Sequence, residues 1–348
     1  MIAKVSFREV SGNELSVPVV GEEQEVSMTA AKEAYREFAR SESSLPIFSR
    51  DWWLDATAGR DAWNVALVRK GDRVVAAMPY VIRRRFWLTA LGQPALTQRL
   101  GPWLRVYDGK PATRLANEKE LMQALIDQLP RFDRFTQSWD YKYSNWLPFY
   151  WNGFRQTTCY SYVLSEIKDT AKVWSGLQQN IRAECKKASN RFELNVRDDL
   201  PIDAFLALNR MTFGRQGLRL PYSEAYVRRL DAACAERGCR KFFIAVDPDG
   251  RHHAGLYIVW DENSSYGLMT GSDPALRTSG AVSLCFWEAI RHAARVTQRF
   301  DFGGSILEPI ERFFRGFGAA QVPYFTVGKT PSMLLRAREG LLCVIRGK

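Results

Sequence analysis

Residues 264–318 read SSYGLMTGSDPALRTSGAVSLCFWEAIRHAARVTQRFDFGGSILEPIERFFRGFG, and the order of elements in this stretch decides the fold. An alternating segment, SSYGLMTGSD, predicts a strand. A turn follows, and Gly280 marks the start of an amphipathic helix over 280–295, with Cys285 on its apolar face. Residues 298–303 predict a buried strand ending in FDFGGS, and 308–316 a short helix carrying RFFRGFG. This order brings the N–H groups of a helix start beside the C-terminal end of a second strand. That is a place suited to a phosphorylated ligand.

Working outward, 170–190 predicts one helix with a basic face, 201–214 and 222–237 two more, and KFFIAVD-PDG-HHAGLYIVWD a hairpin. VPYFTVGK closes the pattern as a strand. The first half runs through a helix at 29–40 and a hairpin over WNVALVRK and RVVAAMPYVIRRR. A helix at 118–129 and a strand in RFDRFTQSWDY follow. Both halves pass through helices, a hairpin, further strand and helix, so the chain reads as two similar α+β units with a boundary near 158: 1–158 and 159–348.

The chain has 348 residues, ordinary globular composition and a formal net charge of +11, which favours anionic partners. No apolar run reaches the roughly 20 residues of a membrane span. The first residues, MIAKVSFREVSG, lack the apolar core of a signal peptide. The expected setting is therefore cytoplasmic, peripheral at most to the inner face of a membrane. The cysteines (159, 185, 234, 239, 285, 343) form no CxxC pair, so reduced thiols and no metal are expected. No Walker A, G-x-S-x-G, H-E-x-x-H or G-x-G-x-x-G pattern is present, which argues against the commoner NTPase, hydrolase, zincin and dinucleotide-binding classes.

Several residues carry candidate chemistry. Arg277, Thr278, Ser279, Gly280 and Ala281 lead into the helix: Thr278 and Ser279 as caps or donors, Gly280 for close backbone approach to a ligand, Arg277 as a phosphate cation. Asp301, at a strand end, either deprotonates an amine or is satisfied by N–H groups of the Gly303–Gly304 turn. Arg315 is either a surface guanidinium or a cation aimed at developing negative charge. Phe314 reads as core or pocket lining, and Tyr266, Tyr257 and Trp260 as sheet packing or acyl-pocket wall. Arg182, Lys186, Lys187 and Arg191 make a solvated face or a phosphate stripe. His252 and His253 follow a turn. Trp139, Tyr141, Tyr143, Trp146, Phe149, Tyr150 and Trp151 pack an interface or stack on sugars. Arg83–Trp87 is a gated hairpin end or a membrane contact.

Read in order, these pieces resemble the GNAT acyltransferases, within them the FemAB-like branch, and more narrowly the CelD/BcsL acetyltransferase-like proteins of polysaccharide biosynthesis. Arg277-x-x-Gly280-x-Val282 follows the Q/R-x-x-G-x-G/A signature, with Val282 where that signature has Gly or Ala. Phe300–Ser305 and Phe314–Gly318 are similar to the branch's D-F-G-G strand end and F-K-x-x-F-G helix, with Arg315 replacing Lys. LQQNIRAECKKASNRFELNV and MTFGRQGLRLPYSEAYVRRL resemble the opening of its second domain, and IFSRDWWLDA its first. The resemblance implies two tandem GNAT-like domains, each a mixed, mostly antiparallel sheet flanked by helices. It implies acetyl-CoA or another acyl-CoA as co-substrate. It also implies oxyanion-holding N–H groups near Met269 and Thr270 and an acceptor groove including Arg215, Arg219, Tyr222 and Tyr226. The implied acceptor is an amino sugar, free or lipid- or nucleotide-linked. A Fem-type transferase using aminoacyl-tRNA, and a catalytically silent scaffold, stay open as alternatives.

Overall fold

Two apolar runs on either side of Gly71 (φ 61°), each with a continuous buried stretch rather than the alternating pattern expected, form a hairpin in which β1 (Trp63–Lys70) pairs antiparallel with β2 (Arg73–Arg85). A computed structural model describes residues 22–215, 217–305 and 307–337. These divide into two compact units, residues 22–158 with 324–337, and residues 159–323. Among the described residues no helix is long and apolar enough to cross a membrane. Five described cysteines are free thiols; Cys343 lies outside the described residues.

In the first unit α1 (Glu22–Ser41) and α2 (Asp51–Ala58) precede the hairpin. β3 (Leu88–Gly92) and the short β4 (Trp103–Leu104) both pair with β2. α3 (Pro111–Asp127) then crosses to β5 (Arg134–Ser138), which lies parallel to β3. α3 begins seven residues before the expected 118, at Pro111 in its first turn. Residues 111–116 are all exposed, so the first turns show no apolar period. α4 (Leu147–Trp151) ends the unit's continuous run.

β6 (Arg155–Leu164) begins before the boundary, and from Cys159 it is the first strand of the second unit. The expected single helix over 170–190 is two: α5 (Thr170–Gly176) and α6 (Gln179–Asn190). Leu177 and Gln178 are extended, and the Gln178 N–H donates to the Gly316 carbonyl at 2.8 Å, so a long-range backbone bond breaks the helix. β7 (Asn195–Arg197), α7 (Ile202–Arg215) and α8 (Glu224–Glu236) follow. β8 (Arg240–Val246), β9 (His252–Trp260) and β10 (Ser265–Ser272) form an antiparallel meander. α9 (Ala281–Val296) crosses to β11 (Phe300–Asp301), parallel to β10 and antiparallel to β6. α9 buries Ala281, Leu284, Cys285, Ala289, Ile290 and Ala293, a helical stripe against Phe243, Leu256 and Ile258 of the sheet. α10 (Glu308–Arg315) leads into β12 (Ala320–Lys329).

Each unit is thus a mixed, mostly antiparallel sheet flanked by helices, with one parallel pair bridged by a helix: β3–α3–β5 in the first, β10–α9–β11 in the second. The strand beside each second parallel member is supplied out of chain order. β6 pairs with β11, while the end of β12 (Thr326–Lys329) pairs with β5. The tail read from the sequence as the end of the second unit therefore groups with the first, where Val327 is fully buried.

Candidate active site

β10 and β11 pair in parallel at only two levels, Ser265↔Phe300 and Tyr266↔Asp301. β10 runs on to Ser272 while β11 stops, so the two backbones part at this level. At the same level the pairing of β10 with β9 slips between Gly267 and Met269, leaving Leu268 as the extra residue of a bulge. Met269 is buried and Thr270 exposed. α7 lies directly on this part of β10: a Cβ on Gly271 would stand 2.5 Å from the Asn209 nitrogen. The buried Asn209 amide donates to the Thr270 carbonyl (2.7 Å) and accepts from the Tyr222 hydroxyl (3.2 Å).

β10 reaches α9 through a 3-10 turn, Pro274–Ser279, and Gly280 at φ 81°. Thr278 and Ser279 do not cap the helix. Ser279 is buried and its hydroxyl donates to Leu276 O at 2.8 Å; Gly280 is the N-cap, with no side-chain cap bond. The first helical acceptor, Gly280 O, is reached from Leu284 N–H at 3.2 Å, so the N–H groups of Ala281, Val282 and Ser283 lie ahead of the ladder. The close approach expected of a ligand at Gly280 is made by α6, since a Cβ there would overlap the Glu184 carbonyl. The Glu184 carboxylate stands beside the same point, paired with Lys187 at 2.7 Å. Val282 is half-buried and packs against the core, Gly280, Ala281 and Ser283 are buried, and Arg277 and Thr278 are exposed.

Asp301 is fully buried. Its Oδ1 accepts from the Ser161 hydroxyl (2.5 Å) and the Gly303 N–H (2.8 Å). Gly303 (φ 84°) and Gly304 (φ 71°) turn the chain hard onto β6, where a Cβ on Gly304 would overlap the Tyr160 carbonyl. The geometry is that of an aspartate organising a strand end. Arg315 is half-exposed and donates to Glu311 Oε1 at 2.9 Å. The same oxygen accepts from the Tyr162 hydroxyl (2.8 Å), which in turn accepts from Gln321 (2.7 Å). The Arg315 bond and the Tyr162 bond hold Glu311 below the usual carboxylate range, while burial and Glu311 push Tyr162 up. Ser161, Tyr162, Glu311 and Gln321 are not singled out by the sequence. Only Glu311, four residues before Arg315, carries a local signal.

Phe314 is core, packed with Phe302 (5.2 Å) and Phe286 (6.0 Å). The glycines of RFFRGFG serve packing: Gly316 sits on Ile181 and Gly318 on the Gly176 carbonyl. Tyr266 is buried, its hydroxyl donating to Asp261 at 3.3 Å; Tyr257 is buried on Asp231. Tyr222 and Tyr226 stack at 6.5 Å, and burial pushes the Tyr222 phenol up to about 12; Arg215 and Arg219 are exposed nearby in sequence. Arg182 is drawn onto the carbonyls of Ser175 and Leu177, so it does not join Lys186 and Arg191 in a free stripe. His253 is buried against Asp247 at 2.9 Å. In the first unit Trp139 and Phe149 are core, whereas Tyr150 and Trp151 are exposed. Among the described residues no group of three or more His, Cys, Asp or Glu is placed to hold a metal.

Residues 175–315 match the family described as Acetyltransferase (GNAT) domain. A crystal structure of FemX superposes with a TM-score of 0.63 at 13% identity, covering 84% of this chain and 95% of that one. The C-terminal domain of a putative lysylphosphatidylglycerol synthetase from Agrobacterium fabrum gives 0.51 at 12% identity over 92% and 97% of the two chains. A tandem GNAT protein from the clavulanic acid biosynthesis pathway gives 0.50 at 12% identity over 86% and 94%. No curated protein matches the sequence.

Proposed function

We propose, from the premise that this chain has a GNAT/FemAB-like fold with an acetyltransferase domain over residues 175–315, that it transfers an acyl group from a thioester to an amine. The observation carrying the reading is the parting of β10 from β11 just beyond Tyr266 and Asp301, at the level of the bulge and beside the Gly280-capped helix. A pyrophosphate would be held at the helix start, on the outer side left by α6. The N–H groups of Ala281, Val282 and Ser283 precede the ladder, and Arg277 is exposed on the preceding turn. Acyl-CoA, when bound, supplies the activated carbonyl. Backbone N–H groups near Met269 and Thr270, beside the bulge, would meet the charge developing on its oxygen. Arg315 offsets negative charge on donor or acceptor. Asp301 holds the strand end through Ser161 and Gly303. The acceptor we propose is an amino sugar of a cell-envelope polysaccharide, held along Tyr222 and Tyr226. This rests on the sequence resemblance.

A second reading takes an aminoacyl group from charged tRNA. The formal charge of +11 and the extent of the FemX superposition favour it. A thermal-shift screen separates the two. A ligand at a hundred times its Kd stabilises by about 2.7 kcal/mol, which raises the melting temperature by several degrees. A rise with acetyl-CoA or another acyl-CoA is expected. A rise with aminoacyl-tRNA alone transfers the donor to the second reading, and no rise with either leaves a scaffold. Asp301→Asn then tests the aspartate. Asparagine's carbonyl oxygen still accepts from Ser161 and Gly303, so turnover within about twofold is expected of a positioning residue. A loss of roughly a hundredfold or more in kcat, with the fold intact, would make Asp301 the base.

A further inference from the structure

The hairpin of β2 and β3 closes at Arg85↔Leu88 with only Phe86 and Trp87 in its turn. Two-residue hairpin turns require positive φ at their first central residue, where Gly or Asn is usual. Here Phe86 occupies it at φ 54°. Phe86 is 81% exposed and Trp87 77%, so neither aromatic is buried by the fold in return for this unfavourable backbone. Arg83, Arg84 and Arg85 precede them, all exposed, and the Arg85 guanidinium lies 5.6 Å from the Phe86 ring. No acidic residue occurs between Tyr80 and Gly92. On the neighbouring strand's approach, Asp133 is engaged by the Thr89 N–H at 2.8 Å, and Arg131 and Arg134 flank it in sequence.

We propose that this tip docks the protein on an anionic phospholipid surface. Phe86 and Trp87 enter the interfacial layer, where aromatic rings gain an apolar contact, and the arginines pair with lipid phosphates. Strand alternation puts Arg84 on the opposite face from Arg83 and Arg85, so guanidinium groups flank the wedge on both sides. The surface stands apart from the acyl-transfer reading and does not depend on it. Aromatics among arginines also suit single-stranded nucleic acid. The +11 charge serves either partner, but two adjacent, largely exposed aromatics at the tip of a turn favour the bilayer.

Co-sedimentation of the full chain with vesicles of phosphatidylglycerol and phosphatidylcholine, against phosphatidylcholine alone, tests the proposal. Binding is expected to the anionic vesicles only, weakening as salt rises. Arg83→Ser/Arg84→Ser/Arg85→Ser should weaken it about a hundredfold, at about fivefold per arginine. Phe86→Ser/Trp87→Ser should weaken it roughly tenfold or more. Melting temperature should be unchanged in both, because the side chains are exposed. If either variant melts early, the single changes Arg84→Ser and Trp87→Ser give the same comparison. Absence of binding to anionic vesicles, or equal binding by the variants, overturns the proposal. So does tRNA binding that the variants lose while vesicle binding is absent.

Discussion

His292, on the buried side of α9, sits between the rings of Trp260 (5.0 Å) and Phe243 (5.8 Å), and its Nε2 has no hydrogen-bond partner. Burial first, then Lys241 and Arg295, push its imidazole down to about 4. The unfolded chain, titrating near about 6.5, takes up the proton first as pH falls. A depressed folded value means the stability is fully present above about pH 6.5 and is lost as pH falls toward about 4. Urea unfolding at about pH 7 and about pH 4.5 should therefore show a loss on the order of 2 kcal/mol that His292→Leu removes. An equal pH dependence in both proteins would count against the buried imidazole as its source. The same scale separates two kinds of glycine. Gly71 needs only its positive φ, with nothing within 4 Å of a Cβ, whereas Gly304 needs both its φ and the space that β6 fills.

At the scale of elements, the candidate site lies where β10 runs on past the end of β11, and α7 is seated on the longer strand. Gly271 permits that seating: a Cβ would meet Asn209 N at 2.5 Å and Leu208 C at 2.6 Å, backbone atoms that yield only if the helix moves. Gly271→Ala is expected to cost about 3 kcal/mol and, by lifting Asn209 from the Thr270 carbonyl, to raise KM for the acceptor more than it lowers kcat. Unchanged denaturation midpoint and KM would mean the helix adapts freely. The elements themselves were mostly legible. α9 follows its apolar stripe, β8 and β9 their apolar runs around the PDG turn, and α10 ends within one residue of expectation. Local periodicity was misleading where a distant group intervened, as at Leu177–Gln178, which the Gly316 carbonyl holds extended.

At the scale of the molecule, the first unit depends on a strand made last. The end of β12 pairs with β5, the Trp139 N–H donates to Phe325 O at 2.8 Å, and Val327 completes a core with Phe135 and Leu125. A chain ended after Pro323 leaves β5 an open edge and that core uncovered. It should bind a hydrophobic dye and be cleaved within residues 22–158 under conditions where the whole chain resists. Equal resistance would show that β12 is dispensable to the first unit. The sequence by itself determined the order of strand, Gly-marked helix, FDFGGS and RFFRGFG, because local period and turn residues specify elements and their succession, and that order carried the resemblance to GNAT proteins. Only the tertiary structure decided that Gly280 admits Glu184's backbone, that Asp301 is held by Ser161, and that β6 and β12 pair where they do. Those are contacts between residues far apart in the chain, and neither spacing nor composition encodes which distant backbone will arrive.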